Sequence, residues 1–358
     1  MPETLEINQR IPIVATREEL DELLTQGADI NARSDWWAGG FGLLDSAPPA
    51  VAHYAITRGA TLSAHAAARL GLLADLRRLI DADPTLVHQP GGDGQTPLHF
   101  ASTVEIAALL LDRGADINAL DVDHESTPAQ YMIGERQAVA RYLIQRGCRT
   151  DLLMAAALGD VELARRILQQ DAAAIHLRVS DEYFPMVGRK AGGTIYQWQL
   201  GWYVGACQVA RKFGHEEAYR FLDEQNPADE KLLNACWLHD ATKAQPLYGI
   251  SLPAPARRHL AHAARNNDLP AVKLMLAAGL PADEFSQHHA SALHWASFHG
   301  NAEMIRLLLP HSKAINNIEN DYQGTPLGWA QHGLAHGWSN NKEGYPETMR
   351  LLVEAGGK

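Results

Sequence analysis

Ten of the seventeen histidines follow Glu230, and they share that stretch with Arg265, Trp295, Trp329 and Trp338. Imidazole is the side chain that gains and loses a proton near neutral pH, so a cluster of it suits general acid–base chemistry. His299 and His332 are the candidate proton-transfer groups. Asp181 or Glu182 would orient the imidazole or carry the second proton, and Arg265 would hold an anionic or polar substrate. Tyr196, Trp198, His239, His288, Trp295, Trp329, His336 and Trp338 complete the candidate ligand-contacting set. His332 and His336 stand four residues apart, the spacing at which paired metal ligands share a helix face. Gly333 lies between them as a helix breaker and no third ligand has diagnostic spacing, so no metal site is expected. The chain has no Gly-x-Ser-x-Gly elbow, phosphate loop, His-Glu-x-x-His or dinucleotide fingerprint, and no cofactor is expected. Chemistry here would be a metal-independent isomerisation, elimination or hydrolysis of a small polar molecule.

Such residues need elements to bring them together, and three irregular segments are candidates. The first, Ser34-Asp-Trp-Trp-Ala-Gly-Gly-Phe41, sets two adjacent indoles beside two glycines. The second runs from Arg178 to Gly205. In it, Ile195, Gln197 and Gln199 alternate with Tyr196, Trp198 and Leu200, a pattern that predicts a short strand or hairpin. The third, Gly333 to Tyr345, splits the last helical stretch with His336-Gly-Trp338 and a Ser-Asn-Asn-Lys turn.

Everything between these segments repeats. Leu110-Leu-Asp-Arg-Gly-Ala-Asp-Ile-Asn118 returns as Leu23-Leu-Thr-Gln-Gly-Ala-Asp-Ile-Asn31, with weaker copies ending at Gly59, Gly147, Gly279 and Gly356. Upstream of them recurs a second element: Thr96-Pro-Leu-His-Phe-Ala101, Ser291-Ala-Leu-His-Trp-Ala296 and Thr325-Pro-Leu-Gly-Trp-Ala330. Thr caps a helix start, Pro fills a first position that needs no donor, and Gly ends the second helix. These elements resemble the ankyrin-repeat family, with its helix–turn–helix unit of about 33 residues and about ten or eleven copies along this chain. The implied fold is an all-α solenoid with short β-turn fingers and three insertions. It reads as one continuous array, with repeats over 1–177, the insertion at 178–205, and repeats again over 206–358. A degenerate repeat is expected around Lys231–Leu247.

The resemblance also assigns places to side chains. His99 and His294 fall where the family uses an imidazole to tie neighbouring loops together. The residues just before the helix-ending glycine face the concave surface, and in the last repeats these are Leu238/His239, Arg265/Asn266, Phe298/His299 and His332/Gly333. Arg178-Val-Ser-Asp-Glu-Tyr-Phe-Pro185, Gly192-Gly-Thr-Ile-Tyr196 and Gly324-Thr-Pro-Leu-Gly-Trp-Ala330 resemble a group of bacterial ankyrin-repeat proteins. That likeness carries no activity with it. Two functional expectations follow. The family implies a protein partner bound in the concave groove. The histidines and indoles of the C-terminal half imply instead a pocket for a small polar ligand, closed by the 178–205 insertion.

Composition narrows the partners. A net charge of −11 with scattered Lys and Arg argues against nucleic acid. Three widely spaced cysteines suit a reducing compartment. No apolar run approaches the roughly 20 residues that span a bilayer, and the first ten residues lack the apolar core of a signal peptide. A cytoplasmic protein without membrane contact is expected.

Overall fold

Short helices follow one another along this chain because each repeat carries its own start and stop signals. The structure, a computed structural model, describes residues 2–337 and 342–358. Among the described residues there is no β-strand; two isolated antiparallel bridges, Arg33 with Gly42 and Phe285 with Ser291, mark the bases of fingers. Two compact units are present, Met1–Leu163 with Arg178–Gly201, and Ala164–Leu177 with Trp202–Lys358.

In the first unit, Thr103 caps the helix Val104–Asp112 by accepting the Ile106 N–H at 3.3 Å, and Thr127 begins Pro128–Tyr131. At that second start, Gln130 Oε1 accepts the Thr127 N–H at 2.8 Å, closing the cap from both sides. Gly114 and Gly147 then stop the outer helices with φ near +90°, a backbone that only glycine adopts at no steric cost. Between the caps, Ile106, Leu110, Val139, Ala140 and Leu143 are buried. Each buried Leu or Ile contributes about 1.5–3 kcal/mol, against about 1 kcal/mol for a cap, so stacking of apolar faces holds the repeats together and caps set their ends.

The loop-tying imidazoles are in place. His99 Nδ1 accepts the Thr96 N–H at 3.0 Å, and its Nε2 lies 3.2 Å from the Ser126 carbonyl one repeat on. His294 repeats the arrangement with Ser291 behind it and the carbonyls of Asn317 and Gly324 ahead. Burial keeps both rings neutral: the His99 pKa is pushed down to about 4 and that of His294 is lowered.

The insertion belongs to the first unit and docks on the finger at 121–131. Glu125 accepts the backbone N–H groups of Val187 and Gly188, Ser126 Oγ accepts that of Ile195 at 3.1 Å, and Gln199 donates to the Tyr131 carbonyl at 3.0 Å. Residues 195–200 do not form the strand that their alternation predicts. Tyr196–Gln199 is a single helical turn bracketed by Gly193 and Gly201, both at positive φ. Tyr196 and Leu200 are buried while Trp198, which alternation would place on their face, is 72% exposed.

In the second unit the degenerate repeat is the pair Ala228–Trp237 and Ala241–Ala244. After it come His259–Arg265 with Leu269–Ala277, then Ala292–Phe298 with Ala302–Leu308, then Pro326–His336 with Gly344–Glu354. The helix Pro326–His336 runs through Gly333, against the expectation that glycine would break it. Packing explains the difference. A β-carbon on Gly333 would stand 2.2 Å from the Phe298 carbonyl oxygen, so glycine is what allows this helix to press against the end of Ala292–Phe298. Glycine's intrinsic cost of about 1 kcal/mol in a helix is offset by that contact.

Candidate functional site

The last repeats of the second unit enclose a recess of about 460 Å³. Its walls are Trp295, Phe298, Tyr322 and Trp329, and its rim carries His288, His332 and His336. The two indoles occupy equivalent positions in successive inner helices and meet edge to face, their ring centroids 5.1 Å apart. Phe298 lies 6.2 Å from Trp329 and 6.1 Å from Trp295, and Tyr322 closes the box at 5.7 Å from Trp329. Such edge-to-face pairs fix ring orientation beyond what area burial alone would do. Trp295 is further anchored by its indole N–H, which donates to Ser286 Oγ at 2.8 Å.

Fingers and helix ends supply the imidazoles. His288 and His289 both hold positive φ at the finger tip, and their Nδ1 atoms bind Asp321 of the next finger at 3.2 and 2.9 Å. The Asp321 N–H donates to the His288 carbonyl at 3.0 Å, so side chains and backbone tie the two tips together. Hydrogen bonds from these imidazoles, His289 first, hold the Asp321 carboxyl below the usual range. Because Gly333 keeps the helix intact, His332 and His336 lie one turn apart on it, ring centroids 4.9 Å from each other, and His332 stacks on Phe298 at 6.3 Å. Tyr345 backs this helix end; its hydroxyl donates to the Phe298 carbonyl at 2.6 Å.

The other described candidates from the sequence are not among the residues that line the recess. His299 Nε2 is bound to the Arg265 carbonyl at 2.8 Å, and burial lowers the pKa of this ring. Arg265 lies over Trp202 at 4.0 Å and over Trp295 at 5.5 Å, and its Nε–H donates to Gln287. His239 pairs with Asp268 at 2.8 Å. In the first unit, Tyr196 is fully buried and donates to Asp151 at 2.9 Å, Asp181 accepts from Gln197, and Glu182 is exposed in the adjoining turn. Trp198 stands 6.3 Å from His124. Trp338 lies outside the described residues. Of the sequence candidates, His288, Trp295, Trp329, His332 and His336 line the recess together. Among the described residues that line it, three are imidazoles and none is a carboxylate.

Tyr322 and Phe298 complete the box, and their signal was positional: one sits in a finger, the other directly before a helix-ending turn. A separate group in the first unit, Asp93 with Asp123 and His124, escaped the sequence reading. Asp93 and Asp123 sit in neighbouring fingers about one repeat apart, and that spacing is the signal that points to them.

A family model for ankyrin repeats, in three copies, matches residues 64–154 and 260–357, just over half of the chain. The chain belongs to the ankyrin-repeat family. The second matched stretch contains every residue that lines the recess. A 51-residue stretch is also 47% identical to a serine/threonine-protein kinase VIK of Arabidopsis thaliana. That match spans 13% of this chain and 12% of the kinase, a likeness confined to a small part of both proteins. Ankyrin repeats are in general modules for protein–protein interaction, and no helix among the described residues is long and apolar enough to cross a membrane.

Proposed function

We propose that this ankyrin-repeat protein binds a protein partner along its concave face and reads it chiefly through the aromatic recess of the last repeats. The carrying observation is the recess itself, about 460 Å³ with four aromatic walls. Binding energy at protein interfaces concentrates where one large side chain fills a desolvated pocket, and a recess of this size and lining suits an aromatic or long apolar residue of the partner. The rim imidazoles would accept or donate hydrogen bonds to the backbone on either side of that anchor. Three free, buried cysteines support a reducing, cytoplasmic setting for the encounter.

The test is selection of a phage-displayed library of random linear peptides on the full chain. Selected peptides should share an aromatic or large apolar residue, and Trp329→Ala should weaken them by about 2 kcal/mol, near thirtyfold. Peptides without a common apolar anchor, or affinity unchanged in Trp329→Ala, would refute the reading. A second reading draws on the three imidazoles at the rim: a small polar ligand handled by acid–base chemistry, with His332 as the proton carrier. It predicts ligand binding that is lost in His332→Gln, whereas the anchor reading predicts at most a few-fold change there.

A further inference from the structure

The first unit contains a ligating cluster remote in sequence from the aromatic recess. One ligand atom from each of Asp93, Asp123 and His124 lies within 4.8 Å of the other two. Asp123 and His124 are nine-tenths buried, at 6% and 8% exposure. Backbone, not flexible stems, brings these groups together: the Asp93 carbonyl accepts the N–H groups of Val122 and Asp123 at 2.8 and 3.2 Å, clamping one finger to the next. Asp93 itself stands at φ +54°, a left-handed position that Asp and Asn tolerate better than most residues.

The orientation of His124 is the informative feature. Its Nδ1 lies 2.8 Å from the Gly193 carbonyl, which requires a proton on Nδ1 and, in the neutral ring, leaves the lone pair on Nε2. That Nε2 makes no hydrogen bond among the described residues and faces Asp123 Oδ2 at 3.8 Å. The distance exceeds a hydrogen bond, and in the neutral ring it sets a lone pair against a carboxylate oxygen, an arrangement that a proton on Nε2 or a bound cation would relieve. Asp123 Oδ1 is separately occupied by the Gly192 N–H at 3.1 Å, so Oδ2 is the oxygen left to face the ring. Asp121 is excluded as a ligand: its two oxygens take the N–H groups of His124 and Ser126 and the Tyr131 hydroxyl, and it holds the finger in shape.

We propose that Asp93, Asp123 and His124 Nε2 form a three-ligand site for a divalent first-row transition ion of the Zn²⁺ or Mn²⁺ type. One imidazole nitrogen with two carboxylate oxygens suits such ions better than Ca²⁺ or Mg²⁺, which prefer oxygen alone. Three protein ligands leave at least one position for water or a ligand atom. The Gly192–Gly193 backbone hydrogen-bonds Asp123 and His124 from outside, so the ion would fasten the 178–201 insertion to the finger beneath it.

The experiment uses the full chain stripped with a chelator, then dialysed against Zn²⁺ or Mn²⁺ alone, with bound metal measured by elemental analysis. One equivalent should bind at micromolar or lower free metal, and Co²⁺ should give visible d–d absorption of a nitrogen–oxygen site. Asp93→Asn keeps a residue that accepts the left-handed backbone and should weaken binding more than about tenfold. His124→Gln should do the same, while His332→Gln with His336→Gln should leave the stoichiometry unchanged. No saturable binding, or binding that survives Asp93→Asn in a protein of unaltered circular dichroism, would overturn the proposal. So would loss of the equivalent in the His332/His336 double variant.

Discussion

Gly333→Ala sets two physical effects against each other with opposite signs. Alanine is about 1 kcal/mol better than glycine inside a helix, so intrinsic propensity alone predicts a more stable protein. The structure predicts the reverse. The added methyl would sit 2.2 Å from the Phe298 carbonyl oxygen and 3.0 Å from the Tyr345 ring, and the first of these is backbone that cannot rotate away. Overpacking of this kind costs about 1–3 kcal/mol, and a clash with a buried main-chain oxygen belongs at the upper end. After the propensity gain, a net loss of about 2 kcal/mol remains. Urea unfolding followed by tryptophan fluorescence measures it, since Trp295 and Trp329 lie in the affected repeats and report their packing directly. Separation of Pro326–His336 from Ala292–Phe298 should also widen the recess and weaken anchor binding. A midpoint equal to or above that of the wild type would refute the packing argument and the account of why this helix does not break.

Further expectations follow from the same geometry. Tyr345→Phe removes the donor to the Phe298 carbonyl from a fully buried position and should cost about 1–2 kcal/mol in the same urea assay. Acid should destabilise the repeats earlier than carboxylate titration alone would. His65, His99, His294 and His299 all have lowered pKa values from burial, so the unfolded chain binds protons that the folded chain refuses. The contribution of these rings to stability should be level above about pH 7 and be lost as pH drops from 6.5 towards 4, the span between the ordinary imidazole value and that of His99. His99→Gln should shallow this fall, and an unchanged pH profile would count against it. Trp295→Phe deletes the indole donor to Ser286 while keeping an aromatic wall, and should reduce anchor affinity less than Trp329→Ala does.

The repeats were legible because their signals are local: Thr96 and Thr325 as helix starts and Gly114 and Gly147 as stops act within a few residues of themselves. The recess was partly legible. Trp295 and Trp329 occupy one row of the repeat, and the fold stacks that row into a wall. Gly333 was misread because propensity describes an isolated helix, whereas here a neighbouring carbonyl decides. Alternation over 195–200 suggested a strand because two- and four-residue periods coincide over so short a run. Contacts from Asp151, Ser126 and Tyr131 select the helical turn. Asp93, Asp123 and His124 gave no local pattern, since the clamp between fingers is a product of stacking.

The most direct test of the aromatic recess as the binding site is fluorine NMR of protein carrying fluorotryptophan, assigned by single Trp→Phe variants and titrated with a selected peptide. The Trp295 and Trp329 resonances should shift together and saturate, while those of Trp36, Trp37 and Trp198 stay in place. Saturating shifts confined to Trp36, Trp37 or Trp198, with Trp295 and Trp329 unmoved, would contradict it.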